Sequence, residues 1–121
     1  MKEYLVSDLP RRFFSSDDRE TRLNEFISYC LDKALIEAIN KIQIFKDCPP
    51  NFMNSADITN NGDGTVTLKA PLYIGADVIA DMMLEFVFDI SKFDDEDDPM
   101  IIWNEKYTLY TIARGDIIEE E

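Results

Sequence analysis

With 121 residues, 45% of them apolar and 12% aromatic, the chain has material for one packed core and not for two. It carries 25 Asp/Glu against 12 Lys/Arg and no His, a net charge of −13 at pH 7. Such a composition argues against a basic phosphate-binding protein, lacks the commonest general base and metal ligand, and contains no apolar run long enough for a membrane-spanning helix.

The charge is unevenly placed. Residues 1–46 hold eight Lys/Arg and eight Asp/Glu, whereas residues 47–121 hold four against seventeen, so the second part carries the whole net charge. A one-signed surface of this kind is repelled by nucleic acid and by anionic membrane and attracted to basic proteins. The opening Met-Lys-Glu-Tyr-Leu has no signal-peptide apolar segment, and Cys30 and Cys48 match no metal or redox spacing. A reducing, cytoplasmic setting is expected.

Residues 1–14 read as a short extended or irregular arm. Ser15, Ser16, Asp17 and Asp18 are N-cap residue types with acids where a helix dipole favours them. From there Leu23, Phe26, Ile27, Cys30, Leu31, Ala34, Leu35, Ala38, Ile39 and Ile42 recur at three- and four-residue steps, predicting an amphipathic helix of about seven turns that ends near Phe45, before Pro49-Pro50. Residues 47–55 are a linker. Residues 57–69 read as a β-hairpin about Asn61-Gly62-Asp63-Gly64, with Val66 and Leu68 inward and Pro71 ending the strand or beginning a bend.

Residues 75–81 suit either a helical turn or the start of a strand. From 82 to 90 the even positions Met82, Leu84, Phe86, Phe88 and Ile90 are all apolar, which predicts a strand. A charged loop, Asp94-Asp95-Glu96-Asp97-Asp98-Pro99, follows. Two strands about a tight Asn104-Glu105-Lys106 turn are expected at 100–103 and 107–112, and residues 117–121 are expected to be a frayed tail. The fold class is α+β: a single domain over 1–121, with a long N-terminal helix packed on an antiparallel sheet of four or five strands.

Three features bear on function. Asp94, Asp95, Glu96, Asp97 and Asp98 form the densest charge run, read as a solvated loop or as a contact patch for a partner's Lys/Arg. Asp77, Asp81, Glu85 and Asp89 recur every four residues, a same-face step on helix and strand alike. At about 6 Å per step on a helix they could imitate alternate phosphates, but at about 13 Å on a strand they are too sparse without acids from neighbouring elements. Trp103, next to Asn104 and Glu105, reads as an inward sheet residue; exposed, it would be a hot-spot anchor within an acidic rim. Arg11, Arg12, Arg19 and Arg22 make a local basic patch that could pair with the acidic part internally or across a dimer. Asp57 opens a calcium-loop-like run, but Leu68 stands where a bidentate Glu is required, so a hairpin turn is the better reading. No Gly-rich phosphate cradle or distinctive carboxylate pair is present, and no enzyme, cofactor or metal site is expected.

The element order helix, Asp63-Gly64-Thr65-Val66-Thr67-Leu68, Leu84-Glu85-Phe86-Val87-Phe88, Tyr110-Thr111-Ile112-Ala113-Arg114 resembles that of the SspB-type protease adaptors. The chain lacks that family's long acidic tail with an apolar terminal motif, and no binding residue is carried over. The expected function is stoichiometric inhibition of a basic, nucleic-acid-binding partner such as a nuclease, in the manner of a nucleic-acid mimic from phage anti-defence or of an immunity protein. Direct contact with nucleic acid or membrane is not expected. The alternative is an acidic chaperone or adaptor that binds a client peptide.

Overall fold

One helix lies across one face of a strongly curled antiparallel sheet. The computed structural model describes residues 1–8, 18–47, 49–52, 56–74, 81–95 and 97–120. Helix α1 spans Arg19–Lys41. Asp18 caps it, its carboxylate accepting from the Thr21 hydroxyl at 2.9 Å and the Thr21 amide at 3.4 Å. Leu23, Phe26, Ile27, Cys30, Leu31, Ala34, Leu35 and Ala38 are its buried stripe. The helix stops at Ile42, whose backbone is extended, and a 3-10 turn at Gln43–Phe45 carries Phe45 into the core, so the helix is a turn shorter than its apolar pattern.

Among the described residues the sheet has eight strands, more than the four or five expected: β1 (Lys2–Leu5), β2 (Asn51–Phe52), β3 (Asp57–Asn60), β4 (Thr65–Tyr73), β5 (Met82–Asp89), β6 (Met100–Trp103), β7 (Thr108–Thr111) and β8 (Ile117–Glu120). They are laid out in five ranks, because several are collinear. β2 and β3 both pair with β4 along one side, while β5 pairs with its other side from Thr65↔Asp89 to Leu72↔Met82. β6 and β7 both pair with the far side of β5, at Phe88↔Trp103 and at Glu85↔Thr108. β1 lies outside β6 and β8 outside β7.

Three sequence expectations change here. β6 and β7 are not a hairpin: they are two halves of one strand, interrupted at residues 104–107, where Glu105 takes φ 64°. Residues 117–120 are strand β8 rather than a frayed tail, while the arm expected to be extended or irregular is extended at strand β1. Pro71 does not end its strand, because β4 continues to Tyr73. The Ile90 amide donates to the Gly64 carbonyl, so even-numbered residues of β4 bond β5 and the odd ones face the β2/β3 rank. The missing N–H of Pro71 therefore lies on the side away from β5, so the β4–β5 ladder loses no bond to it. Residues 75–80, whose helix or strand character was open, lie outside the described residues.

The alternation of β5 holds: Met82, Leu84, Phe86, Phe88 and Ile90 are buried, facing α1 with Leu68, Ile101, Trp103 and Leu109. Phe86 meets Trp103 edge-on at 5.5 Å, and Phe26 of the helix stacks on Phe93 at 6.3 Å. Among the described residues, no helix covers the opposite face of the sheet.

Candidate partner-binding surface

The expected site residues divide between opposite ends of the sheet. Four elements converge at one end. The Asn61–Thr65 turn is held to the end of β5, where the Gly64 carbonyl accepts from Ile90 at 2.9 Å. The β5–β6 loop follows, and its Lys92 carbonyl accepts from Met100. The turn after β1 is joined to it by the Val6 amide on the Pro99 carbonyl, and the first turn of α1 by Arg19 on Asp94.

This end is rich in carboxylates. Asp63, Asp89, Asp94, Asp95, Asp97 and Asp98 come from the turn, β5 and the loop; Asp8, Asp18 and Glu20 come from the turn after β1 and the helix start. The cations among the described residues here are Arg19, Arg22 and Lys92. Asp94 is engaged within the chain: Arg19 holds both its oxygens at 2.6 Å, with the guanidinium 5.6 Å above the Phe93 ring. The Arg19 hydrogen bond lowers the Asp94 pKa. The expected internal pairing of basic patch and acidic part is thus seen at Arg19, while Arg11 and Arg12 lie outside the described residues.

Asp95 organises the rest of the loop. One of its oxygens accepts from the Asp97 amide at 2.9 Å and the Asp98 amide at 3.3 Å, turning the chain so that the exposed Asp97 and Asp98 follow it. Glu96 lies outside the described residues. Asp89 accepts from the Ser91 amide at 2.8 Å and hydroxyl at 2.6 Å, and these bonds, the hydroxyl's first, lower its pKa. Asp63 is lowered in the same way by Thr65.

The four-residue stripe does not act as one feature. Asp77 lies outside the described residues. Asp81 just precedes β5 and is exposed, whereas Asp89 ends it, about 27 Å away at strand rise. Glu85, between them, is half-buried and sits opposite Lys69 on one side and Thr108 on the other. Of its described members, Asp89 alone belongs to the acid-rich end.

Trp103 is fully buried, and its indole N–H donates to the Lys106 carbonyl at 2.9 Å across the strand interruption. It is a core residue and offers no anchor to a partner. Glu105 is likewise engaged: its carboxylate meets the Met1 ammonium at 2.7 Å and Lys41 at 3.9 Å, and the ammonium's hydrogen bond lowers its pKa.

Sequence reasoning missed a trough between α1 and β3. The larger part, about 450 Å³, has an apolar floor of Leu23, Ile27 and Val66 with Glu20 and Asp57 among its walls. A smaller part, lined by Leu31, Asp32 and Ser28, adjoins it through the shared Ala56 and Ile58. Ile58, expected in a hairpin strand rather than a calcium-loop-like run, is 39% exposed and lines both parts.

Among the described residues, no group of three or more His, Cys, Asp or Glu is placed to hold a metal ion, and no helix is long and apolar enough to cross a membrane. Cys30 is buried in the helix stripe, and burial holds its thiol pKa well above the usual range. No protein-family model matches the chain, and no curated protein or solved structure matches it. The likeness to SspB-type adaptors therefore rests on element order alone.

Proposed function

We propose that the chain is a stoichiometric binding protein, not an enzyme, that docks its acid-rich end on a basic, nucleic-acid-binding protein and blocks it. One observation carries the reading: three loops and the helix start bring nine carboxylates and three cations to the same end of the fold. In this reading, acids from neighbouring elements would supply the density that a strand stripe lacks. Such a field accelerates encounter with a cationic surface, and apolar contacts then set the lifetime of the complex.

The experiment is the triple reversal of Asp95, Asp97 and Asp98 to Lys, leaving Asp94 to Arg19. Against a nuclease or other basic partner isolated from the native host, association slows by an order of magnitude or more at low salt. Wild-type association slows steeply as salt is raised, and DNA competes with it. Unchanged association after the reversal would exclude this surface as the docking site.

A further inference from the structure

We infer that the trough between α1 and β3 is a strand-addition site for an extended segment of a basic partner, with an apolar side chain seated beside Ile58 and cationic side chains flanking it. The inference rests on the reading of the partner as a basic protein, and it adds a second contact far from the 94–98 loop in sequence.

Three observations converge on it. The first is the open edge. The Asn61 amide donates to the Thr65 carbonyl, which fixes the ladder so that Asp57 and Thr59 exchange bonds with β4. The backbone groups of Ile58 and Asn60 consequently point away from the sheet, where an incoming strand would meet them. Among the described residues β3 pairs only with β4, and it is exposed along its whole length. A short polar edge resists indiscriminate pairing, so a partner strand must bring side chains that the neighbouring surface rewards.

The second is shape. Ile58 borders both parts of the trough, and the floor beside it is the buried apolar flank of the helix. One side chain of an added strand, on the same face as Ile58, would enter there.

The third is charge. The charged residues that line the trough are Glu20, Asp57 and Asp32, and neither part is lined by Lys or Arg among the described residues. Glu20 shares Arg19 with Asp94 through one oxygen at 3.2 Å. Asp32 has no ion pair among the described residues, and burial raises its pKa, so a cation placed there would relieve an unfavourable charge. Glu20 and Asp32 are twelve residues apart, about 18 Å along the helix. Same-face positions four residues apart in a strand are about 13 Å apart, a span that long arginine side chains extend to reach both carboxylates.

A labelled seven-residue peptide tests this, with threonines alternating with arginine, valine and arginine, so that the valine is central. Binding to the full chain is read by fluorescence anisotropy, and amide shifts map the site. Saturable binding is expected, with shifts at residues 56–60 and along the facing side of α1. N-methylation of the valine amide removes one strand bond from the ligand without altering the protein, and Asp32→Asn removes the charge partner. Each is expected to weaken binding about tenfold. Replacing the arginines by glutamates should abolish binding. Ile58→Pro leaves the β3–β4 ladder intact, since that amide points outward, and should weaken binding as well. Equal binding of the N-methylated peptide, shifts confined to the 94–98 loop, or no binding by wild type would each overturn the inference. The Asp95, Asp97 and Asp98 reversals leave the trough unaltered, so peptide binding that survives them while partner association does not, or the converse, tells the two proposals apart.

Discussion

Arg19 and Asp94, 75 residues apart in the chain, join through two hydrogen bonds of 2.6 Å that tie the first turn of α1 to the loop after β5. The densest acidic run thus contributes one member to the fold itself. Both side chains are largely solvent-exposed, so screening limits what the pair adds to stability. A double-mutant cycle of Arg19→Gln and Asp94→Asn, measured by urea unfolding, should give a coupling of about 0.5–1 kcal/mol that shrinks at high salt. A coupling indistinguishable from zero at low salt would show that the loop is not tied to the helix.

Stability should fall in acid through named groups. Asp94, Asp89 and Asp63 have folded pKa values below their ordinary ones, by hydrogen bonds from Arg19, Ser91 and Thr65. A depressed carboxyl contributes stability that is present above its unfolded pKa, near 4, and is lost as pH falls through its folded pKa. Asp32 runs the other way: its folded pKa is raised by burial, so its ionised form costs stability at neutral pH. Urea midpoints across pH 2–7 should decline below about pH 4, less steeply in Asp94→Asn, and Asp32→Asn should be more stable than wild type at pH 7. A less stable Asp32→Asn protein would contradict the sign.

Trp103 is the only tryptophan and is wholly buried against Phe86. Its emission should be blue-shifted in the native protein, move to the red on unfolding, and stay unmoved when a partner docks on the acid-rich end. Trp103→Ala removes the indole from the core and leaves the Lys106 carbonyl without its donor, for an expected loss of about 3–5 kcal/mol. Native emission resembling that of the unfolded chain would place the residue at the surface instead.

Gly64 has φ 87°, and a methyl group there would meet only the Ser91 Cβ, at an ordinary 3.5 Å. Space is not the obstacle, so Gly64→Ala should cost about 1–2 kcal/mol in backbone strain alone. Gly64→Asn should cost less, because asparagine tolerates positive φ better. Thermal unfolding of the two variants decides it; equal losses would point to packing instead.

The elements that announce themselves in the sequence are those whose burial is periodic. The 23-residue helix and the β5 alternation each bury one regular face, and the Asn-Gly-Asp-Gly turn carries its own positive-φ chemistry. The layout of the other strands is not encoded that way. Residues 104–107 read as a hairpin turn because Asn104-Glu105-Lys106 has turn composition, yet a turn and an in-line interruption use the same residues; the partner on β5 decides between them. β1 and β8 are edge segments with exposed residues and little alternation, so each looks like loose chain until its neighbour is known. The same limit applies to the candidate surface. The acids were evident as a count, but which are engaged, Asp94 by Arg19 and Glu105 by Met1 and Lys41, depends on contacts from distant parts of the chain.

The in-line pairing of β6 and β7 has a topological corollary. β8 runs antiparallel to β7 toward Thr108, and β1 runs antiparallel to β6 away from Trp103, so the last strand points at the first along one edge. Between the Trp103 and Thr108 registers the β5 strand advances three residues, about 10 Å. A linker of a few residues from Glu120 to Lys2 would therefore fuse β8 and β1 into one unbroken strand. New ends opened in the Gly62–Gly64 turn would make a circular permutant whose sheet keeps every rank in place.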